Sequence, residues 1–232
     1  MTDALSSKLS FVTMQRHMEI SCLGHASFKI KGKTATIVTD PFDEYVGYKF
    51  PKTKADIVTI SHDHKDHRKR DLVSEVKKVI DGPGEYEISG VSIIGFSTFH
   101  DEKKGKLRGK NTVYVFEIDG ARVVHLGDLG HKLNEKQLEF LGNVDVLMIP
   151  IGGEYTIDSQ TATEAVRDIE PKIVIPMHYW VKGMNKDAFG KLAGVDSFIS
   201  EVGLPTEKLD KLIVKKGLTE EEQKVVHLLP FC

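Results

Sequence analysis

Cysteine is almost missing from this chain. Cys22 and Cys232 are the only two, far apart and in no CxxC spacing, so a disulfide framework is excluded and a reducing compartment fits. Long apolar runs are missing as well. Nothing approaches the length of about eighteen residues that a membrane-spanning helix needs, and the first twenty residues contain neither an apolar signal core nor a small-residue cleavage site. A cytoplasmic protein with no membrane partner is expected. Net charge is nearly absent too: 32 basic and 34 acidic side chains leave −2, too little to draw in a polyanion. Nucleic acid is therefore not expected as a partner.

What is present is an ordinary globular mixture, 40% hydrophobic and 28% charged. No linker interrupts the chain, and residues 1–232 are expected as a single domain. Short apolar or alternating runs recur: MEISCLG, SFKIKG, TATIVTD, ADIVTIS, VSIIGFST, NTVYVFEI, ARVVHLGD, VDVLMIPI and KIVIPMH all read as strands. Helical spacing joins Ala162, Ala165, Val166 and Ile169, and Leu138 with Leu141 follow an Asn134/Gln137 capping box. Further helices are expected over 67–76 and 186–192, the second ended by Gly194.

One arrangement occurs twice. A hairpin through Lys31-Gly32-Lys33 leads to a strand ending at Asp40, and the next strand runs into a loop at His62. Later a hairpin through Asp119-Gly120 leads to a strand ending at Asp128, and the next strand runs into Gly152-Gly153. Two similar β-rich halves packed face to face, with helices outside, would follow.

Histidine is the abundant exception, with ten residues. Directly after ADIVTIS stand His62, Asp63, His64, Lys65, Asp66 and His67, an HxHxDH pattern where a strand gives way to a loop. Imidazole and carboxylate are the ligands that borderline divalent ions such as zinc select. Four such ligands within six residues suggest two ions, which one loop cannot enclose. The further ligands are expected at other strand exits, where a rigid sheet makes loops converge: His100, Asp128 and His178.

These residues resemble the metallo-β-lactamase superfamily, whose motifs are HxHxDH, a downstream His, an Asp after a glycine and a final His. The resemblance spans Asp40 to His178 and implies an αββα sandwich of two mixed sheets. It also implies two divalent ions, zinc or alternatively manganese or iron. His62, His64 and His100 would bind one, Asp66, His67 and His178 the other, and Asp128 would bridge them. Gly24-His25-Ala26-Ser27-Phe28, Thr39-Asp40-Pro41-Phe42, Arg108-Gly109-Lys110-Asn111 and Pro176-Met177-His178-Tyr179 are similar to a compact prokaryotic branch that includes the ascorbate-6-phosphate lactonases. A flavodiiron-type site would have Glu where His64 stands, which argues against redox chemistry.

The function expected is hydrolysis of a small-molecule lactone, ester or phosphoester by a metal-bridging hydroxide, since two neighbouring dications bring a shared water's pKa toward neutrality. Asp66 would also hold or relay the proton. Asp40 suits a carboxylate behind a ligand imidazole, and His25, Arg108, Asn111 and Tyr155 suit substrate contact or support of the ligands. The lysines and arginine of the 103–110 loop either hold a phosphate or form a solvated face. His125 and His131 are expected in structural or supporting places, and His17 and His227 at the surface or an edge. A phosphodiesterase or small nuclease and a non-catalytic metal-binding module are the alternatives. The apolar C-terminal run VVHLLPFC is expected as an edge strand or as a contact in a homo-oligomer.

Overall fold

The computed structural model describes residues 17–214 and 223–230. Cys232 and the residues before His17, on which the absence of a leader was argued, lie outside the described residues. The first part of the chain forms β1 (Met18–Gly24), β2 (Ser27–Lys31), β3 (Thr36–Thr39), β4 (Thr53–Lys54), β5 (Ile57–Thr59), β6 (Val73–Ser74) and β7 (Lys78–Ile80). Then follow β8 (Gly84–Ile88), β9 (Val91–Phe99), β10 (Lys110–Ile118), β11 (Ala121–His125), β12 (Val146–Pro150) and β13 (Ile173–Met177). The last strands are β14 (Thr206–Leu209), β15 (Leu212–Val214) and β16 (Lys224–Leu228). The helices are α1 (Glu135–Leu141), α2 (Ser159–Ile169), α3 (Lys186–Phe189) and α4 (Val195–Val202).

Two large mixed sheets result, one ordered β15-β1-β2-β3-β5-β7 and the other β14-β16-β13-β12-β11-β10-β9-β8. Their facing sides share one core in which Ile20, Phe28, Ile37 and Ile57 meet Ile93, Phe116, Val146 and Ile175. Alternate residues of the central strands turn the other way. On the second sheet Val115, Val124, Leu147 and Val174 pack under Leu141 of α1, Ala162 and Val166 of α2 and Phe198 of α4. On the first, Val38 and Val58 pack under Ala55 and Val73. Burial on both faces explains why these strands read as unbroken apolar runs, and each such side chain contributes about 1.5–3 kcal/mol.

The repeated arrangement is real in topology. β2 and β3 pair antiparallel and β3 then pairs parallel with β5, while β10 and β11 pair antiparallel and β11 then pairs parallel with β12. The Asn134/Gln137 capping box opens α1 as expected.

Four expectations need correction. No helix covers 67–76: a 3-10 turn at Arg70–Leu72 leads into β6, which pairs with β4. Leu72 is 41% exposed and only Val73 and Val76 turn inward, too few for a helical stripe, and Glu75 takes φ 62, which a helix does not allow. The helix expected over 186–192 ends at Phe189 with Gly190 as its cap. Gly194 instead precedes α4 as its N-cap. The C-terminal run is an interior strand through Leu228, since β16 lies between β13 and β14, and His227 is buried rather than superficial, with Nε2 2.9 Å from the Tyr179 hydroxyl.

Candidate metal centre

Every candidate ligand stands at or just beyond a strand exit. His62 follows β5, His100 follows β9, Asp128 lies three residues past β11, and His178 follows β13. The backbone bends sharply there: His25, Asp40 and His178 have φ of 54°, 40° and 52°, the sparsely populated conformation that surrounding structure must enforce. Gly152 makes one of these bends possible, because a Cβ on it would lie 2.2 Å from the His178 carbonyl oxygen.

Asp128 is the hub. Its Oδ2 lies 3.1 Å from His100 Nε2 and from His178 Nε2, 3.2 Å from His67 Nε2 and 3.7 Å from His62 Nε2. Asp66 Oδ2 is 3.5 Å from His67 Nε2 and 3.1 Å from His25 Nε2. Three groups of donor atoms result, each with its members within 4.8 Å of one another: His62, His64 and His100; His62, His67 and Asp128; and His25, Asp66, His67 and His178. All seven candidate ligands come together, with His25 beside them. His64 is half-buried, and its ring lies 4.5 Å from that of His62.

Supporting contacts aim these rings. Asp40 accepts Ser61 N–H and O–H at 2.7 and 2.6 Å and lies 2.9 Å from His67 Nδ1. Ser61 Oγ meets His62 Nδ1 at 2.9 Å. Asn111 stands behind Asp128, accepting its N–H at 2.9 Å and donating to Thr98 Oγ1 and the Leu126 carbonyl. Gly127 is needed here, because a Cβ would lie 2.3 Å from Asn111 Oδ1. His125 is buried with both ring nitrogens engaged by backbone, and His131 accepts Phe99 N–H. His17 is exposed.

Burial lowers the His25 imidazole to about 4 and depresses His62 and His64. For His67 burial acts in the same direction, but Asp128, Asp66 and Asp40 outweigh it and raise the group well above the ordinary histidine range. Burial opposes ionisation of Asp128, yet His178, His67 and His100 hold it well below the usual carboxylate range. Asp66 is depressed in the same way by His67 and His25.

The donor set fits metal. His62 Nε2, His67 Nε2, His178 Nε2 and Asp128 Oδ1 are buried without a hydrogen-bond partner, although they crowd together. Leaving a polar atom so costs about 1–3 kcal/mol, and a divalent cation satisfies several imidazole lone pairs and a carboxylate oxygen together. A cavity of about 440 Å³ opens onto the cluster, lined by His64, Asp66, His100, Asp128 and His178 and by Arg108 and Tyr155. Tyr45, Asp63, Lys65, Arg68 and Phe189 also line it. No sequence pattern pointed to these five as a group, though Asp63 and Lys65 lie inside the HxHxDH loop.

Residues 19–178 match the β-lactamase superfamily domain. A UPF0173 metal-dependent hydrolase of Thermococcus onnurineus is 31% identical over 232 aligned positions, covering 86% of this chain and 97% of that protein. A crystal structure assigned to the metallo-β-lactamase superfamily, from Thermotoga maritima, is 40% identical with a TM-score of 0.76, covering 92% of this chain and all of that one. A metallo hydrolase from Ignicoccus hospitalis shares the fold at 22% identity and TM-score 0.64, covering 93% and 96%. The chain is a metallo-β-lactamase-fold enzyme, a metal-dependent hydrolase. Within that class it belongs to the UPF0173 family.

Proposed function

We propose that this chain hydrolyses a small-molecule lactone, ester or phosphoester with two divalent ions, most simply zinc, shared across Asp128. The observation that carries this is the convergence of His100, His178, His67 and His62 Nε2 on one Asp128 oxygen, at distances from 3.1 to 3.7 Å. His62, His64 and His100 would hold one ion and Asp66, His67 and His178 the other. When bound, the pair would supply Lewis acidity and an acidified water at neutral pH. Asp40 and Ser61 fix the His67 and His62 rings by their Nδ1 atoms, which leaves both Nε2 atoms aimed at the centre. Asp66, partly open to the cavity, would hold the proton released by the nucleophile, while His25 keeps its carboxylate in place. A cavity of about 440 Å³ suits a small molecule. The chain would work as one domain in the cytoplasm.

The test is turnover of a panel containing a simple lactone, an aryl ester and bis(p-nitrophenyl) phosphate, before and after chelation and after zinc is restored. Hydrolysis of at least one class, abolished by chelation and regained with zinc, is expected. Turnover that chelation leaves untouched would refute the proposal.

A further inference from the structure

One wall of the cavity above the centre is aromatic, and a cation stands at each end of it. Tyr45, Phe189 and Tyr155 follow one another edge to face, with ring centroids 5.7 Å apart for the first pair and 6.2 Å for the second. Lys65 Nζ lies 5.7 Å from the centroid of Tyr45, and Arg108 Cζ lies 4.5 Å from that of Tyr155. All five residues line the same cavity as His100, Asp128 and His178.

The other charges in this cavity are accounted for. Asp66 and Asp128 belong to the cluster of candidate ligands, and Asp63 is paired with Arg68 at 2.5 Å. Lys65 and Arg108 have no carboxylate partner among the described residues. Arg108 is also held in place from its backbone. The carboxylate of Asp101 accepts the N–H groups of Lys103, Gly105, Leu107 and Arg108 at 2.7 to 3.0 Å, which folds the loop after β9 around one anion and fixes where the guanidinium emerges. A guanidinium lying on an aromatic ring keeps its edge donors available, and those donors match the two oxygens of a carboxylate or phosphate.

We infer that the substrate carries an anionic oxygen group, carboxylate or phosphate, apart from the bond that is cut, and that Arg108 and Lys65 bind it while the Tyr45, Phe189 and Tyr155 wall takes the apolar body. This rests on the hydrolase proposal for the site itself. It also gives the basic 103–110 loop a specific job, with Arg108 as its working member and the lysines around it solvated.

Two ester substrates of equal chain length that differ only in a remote charge provide the test: p-nitrophenyl pentanoate and mono-p-nitrophenyl glutarate. Wild type is expected to favour the glutarate by at least about tenfold in kcat/KM, and Arg108→Gln and Lys65→Met are each expected to reduce that preference by about tenfold. Arg108→Lys, which keeps the charge and loses the fork, restores part of it. A wild type with no preference, or a preference unaltered in both variants, overturns the inference while leaving the hydrolase intact. If neither ester turns over, calorimetric titration with phenyl phosphate and with benzoate decides the matter. Binding weakened about tenfold in Arg108→Gln upholds anion recognition and removes only the ester from the proposed substrate classes, whereas equal binding overturns the inference. The tighter of the two ligands tells phosphate from carboxylate.

Discussion

Asp40 never reaches the cavity, yet it decides where His67 points. Its carboxylate is fully buried and joins His67 Nδ1 to both donors of Ser61. Asp40→Asn keeps the shape but removes the charge that holds one imidazole tautomer. A ten- to hundredfold loss of metal affinity is expected with the fold retained, measured by competition with a chromophoric chelator. Unchanged affinity would show that His67 needs no such support. Asn111 is the corresponding residue behind Asp128. Asn111→Ala strands Asp128 N–H and the Leu126 carbonyl in a buried place, at about 1–3 kcal/mol for each group left unpaired, while Thr98 Oγ1 keeps its bond to the residue-111 carbonyl. The urea midpoint should fall accordingly, and a midpoint equal to wild type would contradict the arrangement. The candidate ligands were legible in the sequence because HxHxDH places four of them in one loop and each of the others closes an apolar strand. Tyr45, Lys65 and Phe189 were not, since only the folded chain brings them to one wall.

The loop after β9 is an element built on a single carboxylate. Burial alone would raise Asp101, but the backbone donors of Arg108, Leu107, Lys103 and Gly105 outweigh that and hold it below the usual range. A depressed carboxylate stabilises the fold above its ordinary titration range, and that stabilisation is lost as pH falls through the folded value. Asp101→Ala is therefore expected to speed hydrogen exchange at those four amides, with the β9 and β10 ladder unchanged. Slow exchange that survives the substitution would mean that the loop is held by something else. Nine strands could be read from the sequence because their apolar runs either are buried on both faces, as in β12 and β13, or alternate, as in β9. β4, β6, β7 and β14 were not, because two to four residues are too few to show a period. The helix expected over 67–76 was misread for a related reason: between Arg68 and Lys78 the apolar residues that pack inward serve the outer face of the first sheet, through β6, and form no helical stripe.

On the scale of the whole molecule, the two sheets meet at a seam from which the candidate ligands of both halves project. His62, His64, Asp66 and His67 come from the first sheet's loops, and His100, Asp128 and His178 from the second's. Ions bound between them would therefore tie one sheet to the other. Ligand present at about a hundredfold over its Kd adds roughly 2.7 kcal/mol per site, so chelation is expected to lower Tm by about 5 °C or more. A Tm indifferent to chelation would mean that the seam holds without metal. The paired halves were visible beforehand as a repeated hairpin-then-strand pattern, but the β14 and β16 pairing that completes the second sheet joins segments too short and too late in the chain to be placed by pattern.

The pair of ions proposed across Asp128 is tested by elemental analysis of the purified protein, with wild type beside His64→Ala and Asp128→Asn. About two transition-metal ions per chain in wild type are predicted, falling to about one in His64→Ala and below one in Asp128→Asn. Wild type free of transition metal, or the same content in all three proteins, would contradict it.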